Sequence, residues 1–175
     1  MMIRKSTCAA ALLLAVAVAM SAAGQQRKAA TADVKNATGQ SVGAAKFKEA
    51  NGSVEMSVKV MNLPAGVHAI HVHEKGACDA PDYKTAGGHF NPAKKQHGLQ
   101  NPQGHHAGDM PNLTVNAKGK GTFKATLHGA TLAGSGDNSM FHQGGTSLVI
   151  HEKEDDLKTD PAGNAGARIA CGLIK

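Results

Sequence analysis

The sequence predicts an all-β protein, and two observations carry that prediction: short runs that alternate apolar and polar residues, and turn residues that separate them. Val54, Met56, Val58 and Val60 alternate with Glu55, Ser57 and Lys59, the period of two expected of a strand with one buried face. Similar stretches occupy 32–36, 42–48, 67–73, 113–115, 122–127, 147–151 and 168–174. Asn51-Gly52 reads as a hairpin turn, and Lys118-Gly119-Lys120-Gly121 as another. Eight short strands punctuated in this way predict an antiparallel sandwich or barrel, with no long helix in the domain. Two connections, 74–112 and 152–167, are too long for plain turns in a compact domain, and loops of that length usually carry function.

The first residues read as an address, not as fold. Arg4 and Lys5 are basic, residues 9–20 are apolar, and Ser21-Ala22-Ala23 offers a small-residue cleavage site. That apolar run is short for a membrane span, which needs ~20 residues. We expect a cleaved export signal over 1–23, a disordered lead-in over 24–31, and one domain over 32–175. Loss of the signal removes Cys8 and leaves Cys78 and Cys171 as a pair, in a compartment where disulfides persist. It also lowers the basic count from 19 to 17 against 13 acids, a formal +4. The lysines are scattered, Tyr83 is the lone tyrosine and tryptophan is absent, so nothing predicts a nucleic-acid surface. A small anion fits the charge better, and no membrane association is expected once the signal is gone.

Histidine carries the chemistry. In His71-Val72-His73 the two imidazoles project from one face of a strand, because alternate side chains do. The following loop adds His89, His97, His106 and Asp109, and His151 ends a later apolar run. Six histidines and one carboxylate at these spacings suit two adjacent metal ions, since neutral imidazole is the commonest protein metal ligand. His68 falls on the opposite parity from His71 and His73 and is expected to pack inward with a structural hydrogen bond. His105, His128 and His142 have no place in the family pattern that the following blocks carry, and that resemblance makes them surface or structural residues.

Five blocks in order resemble the copper,zinc superoxide dismutases, with the bacterial exported type most similar. They are His71-Val72-His73-Glu74, Gly87-Gly88-His89-Phe90-Asn91-Pro92, His106-Ala107-Gly108-Asp109, His151-Glu152-Lys153-Glu154-Asp155-Asp156, and Gly163-Asn164-Ala165-Gly166-Ala167-Arg168-Ile169-Ala170-Cys171-Gly172. The resemblance covers essentially the whole domain. It implies an eight-stranded antiparallel Greek-key β-sandwich or barrel with two long functional loops, in the periplasm or otherwise exported. It makes His71, His73, His89 and His151 copper ligands, and His89, His97, His106 and Asp109 zinc ligands, so that His89 bridges. Four imidazoles suit Cu(II), and three with a carboxylate form the closed tetrahedral set of a structural zinc.

In the same resemblance Asp155 hydrogen-bonds a copper ligand and a zinc ligand at once, fixing both rings. Arg168 guides the superoxide anion, with Lys84, Lys94, Lys95, Lys153 and Lys158 as outer candidates, and His89 takes part in proton supply. The implied reaction is dismutation of superoxide to oxygen and hydrogen peroxide, with copper alternately reduced and reoxidised and zinc redox-silent. The competing reading is a non-catalytic periplasmic copper/zinc-binding protein. A zinc hydrolase is disfavoured because the four zinc positions are already filled. Monomer and homodimer are equally compatible with the sequence.

Overall fold

The computed structural model describes residues 28–175; the expected signal, 1–23, and residues 24–27 of the expected lead-in lie outside them. The described chain forms β1 (Ala29–Asn36), β2 (Ser41–Ala50), β3 (Ser53–Val60), β4 (Gly66–His68), β5 (Ile70–His73), β6 (Leu113–Val115), β7 (Gly121–Leu127), β8 (Ser147–His151) and β9 (Arg168–Leu173). A single turn of 3-10 helix, Lys84–Ala86, is the one helical element among the described residues. No helix there is long and apolar enough to cross a membrane.

A seven-stranded antiparallel sheet runs β5-β8-β9-β1-β2-β3-β7, and β4 pairs with β6 in a second, two-stranded sheet. The hairpin at Asn116–Lys120, closed by Asn116 N–H donating to the Lys120 carbonyl at 2.9 Å, sets β6 beside β7. The small sheet thereby closes the gap between β7 and β5. With β4 and β5 taken as one interrupted strand, chain order skips spatial neighbours twice, from β3 to β4 and from β7 to β8, which is Greek-key winding.

Alternation explains the interior. Val54, Met56, Val58 and Val60 are all buried in β3, and Phe47, Leu113, Leu127, Leu148 and Ile150 meet them in one core. Burial of each such large side chain stabilises the fold by ~1.5–3 kcal/mol. The hairpin turn appears as expected: Asn51 and Gly52 both take positive φ, 51° and 74°, matching a two-residue turn between twisted strands. A smaller cluster of Tyr83, Ala86, Val149 and Cys171 lies under the 74–112 loop.

Three particulars differ from the sequence reading. The stretch 67–73 is not one strand but two, broken at Ala69, whose carbonyl accepts from His151 N–H and whose N–H donates to the Lys153 carbonyl. Counting β4 and β5 as one interrupted strand recovers eight. β1 begins at Ala29, so residues 29–31 are strand and not lead-in; Ala30 is buried opposite Phe47. Alanine carries too little hydrophobic signal to mark that boundary. A third long connection, 128–146, joins β7 to β8 and is tied to β2 through Glu49, which accepts from Thr131 Oγ1 and from Leu132 N–H.

Candidate metal centre

β5, β8 and the 74–112 loop bring the histidines together. His71 and His73 are both buried on β5, which pairs with β8, and β8 ends in His151. A register shift between Ile150 and His151 re-aims that last side chain, as bulges beside functional sites do. The loop is laced to β5 by backbone bonds: Phe90 N–H donates to Val72 O and Val72 N–H to Gly108 O, each at 2.9 Å. A Cβ on Gly108 would sit 2.2 Å from Val72 O, so only glycine permits this crossing. His89 and His106, which flank the crossing, are thereby fixed against β5.

Two groups of donors result. Those of His71, His73, His89 and His151 lie within 4.8 Å of one another, and those of His89, His97, His106 and Asp109 do likewise, with His89 in both. The His89 ring centroid is 4.1 Å from that of His71 and 5.0 Å from that of His97. All seven residues are buried.

The hydrogen bonds sort the ring nitrogens. His71 Nε2 donates to Asp155 Oδ2 at 2.8 Å, His73 Nδ1 to Gly87 O at 3.0 Å, and His89 Nδ1 to Asp109 Oδ1 at 2.8 Å; His151 Nδ1 faces Gly166 O at 3.5 Å. The opposite nitrogens, His71 Nδ1, His73 Nε2, His89 Nε2 and His151 Nε2, are buried and have no hydrogen-bond partner among the described residues. His142 Nε2 and Ser147 Oγ are the other such side-chain atoms there. Four unpartnered imidazole nitrogens turned toward one another are costly unless a cation sits between them. The residues therefore fit a nitrogen-bound metal ion.

The second group is arranged about Asp109. Its Oδ2 accepts from the N–H groups of Gly98 and His106 at 2.9 and 3.0 Å. Its Oδ1 faces three Nδ1 atoms, those of His89, His97 and His106, at 2.8, 3.0 and 3.3 Å. Three imidazoles and one carboxylate are the donor set of a closed zinc site. Asp155 spans the two groups: Oδ2 accepts from His71, and Oδ1 from His97 Nε2 at 3.0 Å.

Protonation follows this partition. Burial pushes His89 and His151 down to about 4 and holds His71 and His73 below the ordinary histidine value, so all four rings are neutral and ready to bind. Burial opposes charge on His97 too, but its bonds to Asp109 and Asp155 outweigh that and raise it to about 9. Burial would raise both acids, yet the histidine hydrogen bonds keep Asp109 and Asp155 far below the usual carboxylate range.

A cleft of 570 Å³ opens over His73, His89, His106 and His151 and is also lined by Glu74, Lys94, Lys95, Asp160 and Arg168. Arg168 is half-buried, with Nη1 donating to Tyr83 O and Nη2 to Gly87 O, both at 2.7 Å. Among the sequence's outer lysines, Lys94 and Lys95 reach this cleft, whereas Lys84 pairs with Asp82 at 2.8 Å and Lys153 lines a separate hollow with Asn164. A larger groove of 860 Å³ lies on the outer face of β1, β2, β3 and β7 and contains none of the histidines, so size alone does not mark the chemistry.

Histidines outside the groups behave as expected. His68 is buried between the carbonyls of His151 and Pro64, at 2.9 and 3.0 Å. His105 Nδ1 bonds the His106 carbonyl, His128 is exposed beside Ser53, and His142 stacks on Phe90 with ring centroids 5.7 Å apart. Cys78 and Cys171 form a disulfide.

Nothing in the sequence marks Asn112. Its Nδ2 donates to Asp155 O at 2.9 Å and its Oδ1 accepts from Asp155 N–H at 2.8 Å, a reciprocal clamp on the shared acid. Gly163 makes room for that acid: a Cβ there would lie 1.8 Å from Asp155 Oδ1.

Comparison with known proteins agrees with the geometry. The family model described as copper/zinc superoxide dismutase (SODC) matches residues 41–174. A Cu-Zn superoxide dismutase of Aquifex aeolicus (strain VF5) is 50% identical over 145 residues, 82% of this chain and 86% of that one. The crystal structure of a SOD-like protein from Bacillus subtilis superposes with a TM-score of 0.78 at 38% identity, over 82% of this chain and 96% of that one. The Cu/Zn superoxide dismutase from Brucella abortus gives 0.67 at 31% identity, over 84% and 99%. With its paired donor groups, its barrel and these relatives in agreement, the chain belongs to the copper/zinc superoxide dismutase family.

Proposed function

We propose that this protein dismutates superoxide to oxygen and hydrogen peroxide, two superoxide ions and two protons being consumed per cycle. The observation that carries the reading is the set of four buried, unpartnered nitrogens on His71, His73, His89 and His151, each on a ring whose other nitrogen faces an acceptor. These four residues would hold copper; His89, His97, His106 and Asp109 would hold zinc. Bound copper supplies a one-electron couple that accepts an electron from one superoxide and donates it to the next, and zinc supplies a fixed charge without redox chemistry.

The chain's own residues do the rest. Asp155 keeps a proton on His71 Nε2 and His97 Nε2, and Gly87 O keeps one on His73 Nδ1, so each ring presents its other nitrogen to a metal. His89 has Nδ1 turned to the Asp109 group and Nε2 to the other, which suits it to hold a proton at Nε2 and release it to product. Arg168 offers a fixed guanidinium at the cleft, a charge and a donor for a small anion, and Lys94 and Lys95 add positive charge at its rim. All seven ligands come from one chain, so no second copy is needed to complete the site. The Cys78–Cys171 disulfide fits an exported, oxidising location, and the 1–23 segment would supply the export signal.

The competing metal-binding role without turnover has a specific basis in the Bacillus subtilis relative, whose name says only SOD-like. One experiment separates the two: metal analysis of the purified protein combined with direct superoxide decay, before and after selective copper removal. Dismutation requires copper and zinc near one each per chain and a rate that disappears with copper and returns with it. Stoichiometric copper with no turnover would assign the protein to metal binding alone.

A further inference from the structure

We propose that Tyr83 is a positioning residue for Arg168, a second latch, separate from the disulfide, on the loop segment whose carbonyls hold the guanidinium. The inference rests on the anion-guiding reading of Arg168 given above. Both acceptors of Arg168 belong to one short segment: Tyr83 O at the start of the 3-10 turn and Gly87 O at its end. Where the guanidinium sits is therefore decided by what holds residues 83–87.

The disulfide holds this loop at Cys78, five positions before Tyr83. Tyr83 holds it directly. Its ring is buried against Ala86, Val149 and Cys171, and its hydroxyl donates to the Lys35 carbonyl of β1 at 3.0 Å. Its φ is 52°, a left-handed backbone that a bulky side chain adopts only where its surroundings impose it. The ring contacts and the hydroxyl bond are the imposition.

The two latches converge. In the sheet His71 pairs with Val149, Val149 with Cys171, and Cys171 with Lys35. The disulfide lands on Cys171 and the tyrosine hydroxyl on Lys35, neighbours on the rung that carries His71. Gly87 O, the other acceptor of Arg168, also accepts from His73 Nδ1. Tyr83 thus references the guanidinium to the same rigid rung as the metal-binding rings, and does so whether or not the disulfide is closed. Phenylalanine would fill the ring's place and remove only the bond to Lys35.

The test uses the fully metallated protein with copper reduced, which is diamagnetic, and follows the side-chain 15N NMR signals of Arg168. In the unsubstituted protein these signals should be resolved, with slow rotation of the held guanidinium. Tyr83→Phe should average them while metal content and histidine signals stay unchanged. It should also lower the superoxide rate about two- to tenfold, the range of one hydrogen bond, and flatten its salt dependence. In an Arg168→Ile background Tyr83→Phe should lower the rate no further. With Cys78→Ser and Cys171→Ser together, the Arg168 signals should persist, and adding Tyr83→Phe should abolish their resolution; if that variant does not fold, the single substitution decides. Unchanged Arg168 signals in Tyr83→Phe, or an equal loss of rate with and without Arg168, would overturn the proposal. Absence of turnover in the unsubstituted protein would instead overturn the catalytic reading, and the NMR signals would still report on the latch.

Discussion

His97 enters metal loading as a charged ring. Without metal both its nitrogens face carboxylates, Nδ1 on Asp109 and Nε2 on Asp155, and it holds its extra proton up to about 9. Zinc at Nδ1 must displace one proton, so loading at pH 7.5 should release about one from this ring, readable as a buffer-dependent heat in calorimetry. The metal-free protein should also show a stability maximum near the ordinary histidine value. His97 is raised, so its contribution is complete below about 6.5 and is lost as pH climbs through about 9. His89 and His151 are depressed to about 4, so the unfolded chain binds their protons first and stability falls as pH drops from about 6.5 toward 4. Thermal melts of metal-free protein across that range check both arms. Arg168→Ile should leave both metals bound and lower the superoxide rate roughly tenfold, with a shallower salt dependence in stopped-flow decay. The two donor clusters were legible in the sequence because histidine is chemically specific, and the ordered blocks separated His106 from its neighbour His105. Asn112 was not: it acts through the backbone of Asp155, forty-three positions away, and nothing local to either residue records that pairing.

At the scale of elements, the site depends on glycines that let loops touch. Gly163 faces Asp155 so closely that Gly163→Ala must push the carboxylate away from His71 and His97. Loss of such a partner typically weakens metal affinity ~10–100-fold, so Gly163→Ala and Asp155→Ala should lose metal to chelator at similar, raised rates while circular dichroism still reports sheet. Strand identities were readable where valine alternated with polar residues, as in β3, and the two loops bounded by histidine were readable from their length. The break between β4 and β5 was not, because Val67 to His73 is a continuous strand-like run. What interrupts it is tertiary: the hydrogen bonds of Ala69 to His151 and Lys153 override local propensity. Loop 128–146 escaped notice for a similar reason, since its anchor, Glu49, belongs to a distant strand.

For the whole molecule, the covalent clamp and the metals act on the same loop. The disulfide closes a separation of 93 residues, which in the chain-entropy model corresponds to about 4–5 kcal/mol. Cys78→Ser with Cys171→Ser should therefore lower the melting temperature by several degrees, and more steeply in metal-free protein than in loaded protein, where bound ions also pin the loop. Barrel closure was foreseeable from strand number, but the sheet order required the register of β5, β8 and β9 about the histidines. Asp155 reaches one ring of each donor group, His71 through one oxygen and His97 through the other. Seating either ion would restrain this single acid for the other, so we expect each to strengthen the other's hold, and reciprocity makes the two factors equal. Filling is then cooperative: in a population given too little metal, molecules carrying both ions or neither outnumber those carrying one.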